Sequence, residues 1–238
     1  MKQTRHLLIA LALGTMLTSC GASVSTATVT GPAAYVDPYI GSGGHGHVFV
    51  GASVPFGAIQ AGPQNIHKGW DWCSGYHHSD SIVIGFAHTH LSGTGCTDMG
   101  DVQIMPYTGE LRSKRGRQED IGGSCSSYYS HDNESVSPGY YSLKMDNGVR
   151  IEMTASTRTA LHRITYPEAE GRRLLINLEE GNGDGAYDTY LRQTDAHTVE
   201  GYRFSKGWGP HKVFFALTTD KPIRSLALFD ADTPSEGS

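Results

Sequence analysis

The 238-residue sequence is short of long apolar runs, of charge and of cysteine. Its longest uncharged apolar run, Leu7 to Leu17, is roughly half of the ~20 residues that cross a bilayer, so it does not read as a membrane span. Formal charge is only -5, with a pI near 6.2. No Lys/Arg cluster extends past the short Arg112 to Arg117 stretch, which argues against a nucleic-acid partner. Neither Cys-x-x-Cys nor His-Glu-x-x-His occurs, so the common zinc signatures are missing. No segment carries a helical apolar stripe, which removes the α-helical fold classes.

The N-terminus supplies an address. Lys2 and Arg5 precede the apolar run, and Leu17-Thr18-Ser19-Cys20 closes it. Charge, short apolar segment and small residues are the parts of a secretory signal peptide, here residues 1–19. The Leu-x-small-Cys ending is that of a bacterial lipobox, with Cys20 as the acylated first mature residue. Residues 20–34, rich in Ser, Thr and Ala, then read as a flexible tether between membrane and domain. The expectation is a cell-envelope protein lipid-anchored to a bacterial membrane, at the outer membrane or cell surface. With Cys20 acylated, Cys73, Cys96 and Cys125 are an odd set. At least one is then left without an intramolecular partner, and spacing does not choose a disulfide.

The remaining chain, residues 35–229, has the length of one large domain. In its second half apolar residues recur at period two. The plainest case is Tyr140 to Met145, then Asp146-Asn147-Gly148, then Val149 to Ala155. Val149, Ile151, Met153 and Ala155 share one face, Arg150, Glu152 and Thr154 the other, and Asn-Gly suits a tight hairpin turn. Further strands are expected at 161–166, 174–178, 199–204, 213–218 and 223–229. The spacing predicts an all-β antiparallel sandwich with long loops, with a β-barrel as the rival. Residues 230–238 read as a polar tail.

The first half is loop-like and carries the chemistry. Seven of the twelve histidines lie between His45 and His90. They could ligate a metal, or they could hydrogen-bond a polyhydroxy ligand. Trp70-Asp71-Trp72 favours the second reading, since indole stacks on the C–H face of a pyranose while carboxylate and imidazole meet its hydroxyls. Each Trp could equally be a core residue if the segment is extended.

An ordered series of strings resembles the N-terminal domain of glycoside hydrolase family 92, the calcium-dependent exo-α-mannosidases. It includes Val36-Asp37-Pro38-Tyr39-Ile40-Gly41, Gly69-Trp70-Asp71-Trp72-Cys73-Ser74-Gly75-Tyr76-His77, Gly85-Phe86-Ala87-His88-Thr89-His90-Leu91-Ser92-Gly93-Thr94-Gly95 and Asp98-Met99-Gly100-Asp101. It continues through Ser137-Pro138-Gly139-Tyr140-Tyr141, His162-Arg163-Ile164-Thr165-Tyr166-Pro167 and Gly201-Tyr202-Arg203, covering about Tyr35 to Ile223. The resemblance implies a β-sandwich that meets an (α/α)₆ catalytic domain, with the site at the junction and mannose-containing glycans as substrate. The general acid, the general base and at least part of the calcium site are implied to lie in that barrel. The chain reads as truncated before it, and so as inactive alone. Trp70, Asp71, His88 and His90 are the expected substrate contacts. Asp71, Asp98, Asp101 and Glu134 are the carboxylates of the family-like strings, and Asp98 and Asp101 are expected to hold loops. The alternative is a non-catalytic surface lipoprotein that binds glycans.

Overall fold

The computed structural model describes residues 30–116, 121–230 and 233–235. The expected signal peptide, Cys20 and most of the tether lie outside these. The described residues are all-β apart from three short 3₁₀ turns at Gly31–Tyr35, Trp70–Trp72 and His131–Asn133. No helix among them is long and apolar enough to cross a membrane.

The strands, in chain order, are β1 (Ala52–Ser53), β2 (Gln60–Gln64), β3 (Ile82–Val83), β4 (Gly85–Ala87), β5 (Gln103–Thr108), β6 (Ser127–Tyr128), β7 (Glu134–Ser137) and β8 (Tyr140–Lys144). There follow β9 (Arg150–Ala155), β10 (Ala160–Thr165), β11 (Arg172–Asn177), β12 (Gly185–Gln193), β13 (Thr198–Lys206), β14 (His211–Thr218), β15 (Leu228–Asp230) and β16 (Thr233–Ser235). One sheet runs β1-β2-β4-β5-β11, a second is the meander β10-β9-β8-β7, and a third is β12-β13-β14. All pairings are antiparallel.

The first two sheets face each other across the main core, which makes a sandwich. Ala52, Ala61, Phe86, Ile104 and Met105 come from one, and Tyr141, Leu143, Ile151 and Met153 from the other. Phe86 and Tyr141 meet with ring centroids 6.3 Å apart. Burial of such side chains, at about 1.5–3 kcal/mol each, supplies the main favourable term in folding.

The β8–β9 hairpin forms as its sequence dictates. Gly148 takes φ 85°, and Asn147 accepts a hydrogen bond from Val149 N at 3.0 Å through its side chain. Val149, Ile151 and Met153 are buried. The opposite face differs from expectation at Glu152, which is also buried. The Tyr140 hydroxyl donates to it at 2.7 Å, and Arg163 stands 3.7 Å away, so the carboxylate is covered but satisfied. The stretch expected as a strand at 223–229 is extended only at its end, where β15 pairs with β16 in what the sequence presents as tail.

Candidate functional site

Four loops converge on one corner of the domain: residues 45–47, the turn at 70–73, the segment 93–101 and the connection before β12. The turn begins at Gly69, whose φ of 129° lies in a region open mainly to glycine. It leaves Trp70 exposed, with Nε1 donating to Gly95 O at 2.9 Å. The His47 ring meets the Trp70 ring edge-on at 4.2 Å and the His45 ring lies 5.6 Å away. His45 Nδ1 sits 2.6 Å from Asp71 Oδ1, and His47 Nε2 3.4 Å from the same oxygen. These contacts, His45 first, hold the Asp71 carboxyl below the usual carboxylate range against the opposing effect of desolvation. The corner therefore offers an aromatic face beside a carboxylate and the exposed His45 imidazole, with His47 buried behind them.

Trp72 takes the structural role. Its Nε1 donates to Asp80 Oδ2 at 2.8 Å, and its ring stacks on His77 at 4.3 Å. A 3₁₀ turn, unlike an extended segment, sets the two indoles to different tasks two residues apart.

His88 and His90 are anchored by backbone carbonyls rather than by Trp70 or Asp71. His88 Nδ1 is 2.7 Å from Val102 O, and its Nε2 faces His162 Nε2 at 2.9 Å. His90 Nδ1 is 2.8 Å from Gln60 O, with its ring stacked on Phe49 at 5.3 Å. Because each Nδ1 meets a carbonyl it carries the proton, leaving each Nε2 as an acceptor. Burial lowers the His88 pKa and pushes that of His90 down to about 4, which favours the neutral ring in each. Trp70 and Asp71 are thus brought together, with His45 and His47 as partners the sequence did not single out, while His88 and His90 make separate contacts with Val102, His162, Gln60 and Phe49.

The other carboxylates are engaged inside the protein. Asp98 accepts from Met99 N at 2.9 Å and Gly209 N at 2.7 Å. Asp101, fully buried, accepts from Thr89 Oγ1 at 2.6 Å, from Arg203 Nη1 at 2.5 Å and from His211 Nε2 at 2.9 Å. Arg203, also fully buried, donates to both Asp184 oxygens at 3.0 Å and from Nε to Leu178 O at 2.9 Å. Glu134 accepts from Tyr76 and Tyr141 hydroxyls at 3.0 and 2.7 Å, with His131 Nδ1 at 2.7 Å.

Among the described residues, Asp101, Asp184 and His211 form the one group close enough to share a metal ion. It does not fit calcium, which takes about six to eight oxygen ligands. The Arg203 guanidinium already occupies the place between the two carboxylates, and the third member offers nitrogen. The clustered histidines at 45–90 form no such group among the described residues.

The comparisons with known proteins follow the same outline. Residues 35–238 match the glycosyl hydrolase family 92 N-terminal domain. The chain belongs to glycoside hydrolase family 92. The family GH92 α-mannosidase BT3965 from Bacteroides thetaiotaomicron, solved alone and with mannoimidazole, superposes with a TM-score of 0.81 at 38% identity. In the mannoimidazole complex the match covers 85% of this chain and 27% of that one. The family GH92 inverting mannosidase BT2199 of the same bacterium gives a TM-score of 0.69 at 25% identity, again over 85% of this chain and 27% of that one. An uncharacterized secreted glycosidase of Arthroderma benhamiae is 32% identical over 158 residues, which are 63% of this chain and 18% of that protein. This family 92 chain therefore spans roughly a fifth to a quarter of the length of these relatives.

Proposed function

We propose that this family 92 domain forms the carbohydrate-contacting half of an exo-α-mannosidase site acting on mannose-containing glycans. The Trp70 ring stacks on a sugar face while Asp71 and the exposed His45 meet its hydroxyls, and the buried His47 braces Asp71 and Trp70 from behind. The observation that carries the reading is the exposed Trp70 indole, held by Gly95 O beside a carboxylate tied to two imidazoles. His88 and His90 hold the backbone at Val102 and Gln60 in place.

Hydrolysis with inversion needs two carboxyls about 6.5–9.5 Å apart, one donating a proton and one activating water. Asp98, Asp101 and Glu134 each carry two or more internal hydrogen bonds, and Asp71 is bound to histidine. In line with what the family 92 resemblance implies, both catalytic carboxyls and the calcium ligands are assigned to an (α/α)₆ domain outside this chain. The chain itself is exported and anchored through Cys20 to a bacterial envelope membrane. Acyl chains at about 0.8 kcal/mol per buried methylene supply that anchorage.

Titration calorimetry with α-mannosides, with and without calcium, tests the reading. A site open on one side leaves the sugar hydroxyls competing with water, so no heat of sub-millimolar binding is expected from this protein alone. Strong binding without a partner would instead favour a self-sufficient glycan-binding lipoprotein.

A further inference from the structure

Trp208 is the most exposed tryptophan of the chain, at 82%, and neither the motifs nor the Trp70 corner account for it. It sits in the turn Gly207-Trp208-Gly209-Pro210 between β13 and β14. A lone exposed aromatic means little. This one is held by an unusual amount of buried polar structure.

Asp98 accepts from Gly209 N at 2.7 Å, and Gly207 lets its carboxylate approach so closely that a Cβ there would lie 2.0 Å from Oδ1. His211 Nδ1 contacts Gly209 O at 2.7 Å while its Nε2 reaches Asp101. The loop that supplies these carboxylates also receives the Trp70 indole at Gly95 O, 2.9 Å away, and the Cys73 thiol at Thr94 O, 3.0 Å away. Asn182 closes the set, with its side chain donating to Cys73 O and its backbone N to Met99 O, both at 2.7 Å. Trp70 and Trp208 thus ride on one interlocked group of loops, 70–73, 93–101, 181–184 and 207–211. Two exposed indoles carried on one hydrogen-bonded group of loops suit a ligand longer than one ring, because the loops need little further ordering on binding.

We propose that Trp208 is a second sugar-stacking residue, engaging a more distant pyranose of the same glycan whose terminal residue meets Trp70. This rests on the assignment of the Trp70 corner to sugar. The ligand class is an α-linked oligosaccharide of at least two pyranoses. The additional contact is worth about three- to ten-fold in affinity, the scale of one aromatic stacking interaction.

The three tryptophans give three indole N–H resonances in a ¹H–¹⁵N spectrum, assigned through W70F, W72F and W208F. Methyl α-mannoside at tens of millimolar is expected to move the Trp70 signal alone. α-Mannotriose is expected to move Trp70 and Trp208 together, leaving Trp72, tied to Asp80, in place. W208A should weaken the trisaccharide by the stated factor and leave the monosaccharide unchanged. A Trp208 signal that stays fixed under trisaccharide while Trp70 moves overturns the inference. If neither moves, the sugar reading of the Trp70 corner falls, and this inference with it.

Discussion

Two clusters of the same residue types, carboxylate with histidine, sit close together in this domain and end in opposite roles. At the surface Asp71 meets the exposed His45, with the buried His47 behind it, beside an exposed Trp70. In the interior Asp101 and Asp184 meet Arg203 and His211, with Arg203 and Asp101 fully buried. Water makes the difference. In the interior every charge must have its partner, so a guanidinium fills the centre and the cluster becomes a rivet between the 93–101 loop and the β12–β14 sheet. At the surface the partners leave faces open, and the group keeps capacity for a ligand.

Mutations that remove one partner from each cluster sharpen the contrast. Arg203→Ala removes the guanidinium shared by Asp101 and Asp184, leaving Asp101 with only Thr89 and His211, and should lower unfolding stability by about 3–5 kcal/mol in urea, or prevent folding. Arg203→Lys, which keeps the charge but loses the forked geometry, should fall between it and the parent. Glu134→Gln breaks a second interior cluster of neutral hydroxyl donors, and a loss of about 1–3 kcal/mol is expected from the same denaturation curves.

A pH series separates the clusters more gently. Burial opposes protonation of His211, yet the Gly209 carbonyl and the Asp101 carboxylate raise its pKa above the ordinary histidine value. Its stabilising contribution is complete below that ordinary value and fades as pH climbs through the raised one. Below the ordinary histidine value the depressed His88 and His90 act in the opposite sense, so the decline in thermal midpoint is expected above it, toward mildly alkaline pH, and His211→Gln should flatten it. Asp71 has the reverse sign, its lowered pKa confining any loss to acid pH, below the ordinary carboxylate value. The smallest effect belongs to the surface pair. Trp70→Ala and Asp71→Asn should leave the melting curve where it was while abolishing the mannoside-induced shifts of nearby resonances. A large drop in their melting temperature would make this corner structural and erase the contrast.

The sequence was informative where one face is buried and one is wet. The β8–β9 hairpin was legible because Val149, Ile151 and Met153 alternate with polar residues around Asn147-Gly148. β12 was not, because most of Gly185–Gln193 is exposed and shows no alternation to read. β2 hid behind Pro63, a residue that argues against a strand, although it pairs across to Phe86. Trp70-Asp71-Trp72 announced the site but could not tell the exposed indole from the supporting one. His45 and His47 are more than twenty residues from Asp71, and Arg203 is 102 residues from Asp101, distances at which composition carries no pairing information. The anchoring of His88 and His90 was not legible, because their backbone partners, Val102 and Gln60, are set only by the fold.

The central claim is that the carboxylates of this chain serve structure and sugar contact while proton transfer belongs to other polypeptide. Incubating the purified protein with an aryl α-mannoside and calcium tests it directly. The account predicts no release of the aryl group above the buffer rate, and steady release by the protein alone, lost on Asp71→Asn, would contradict it.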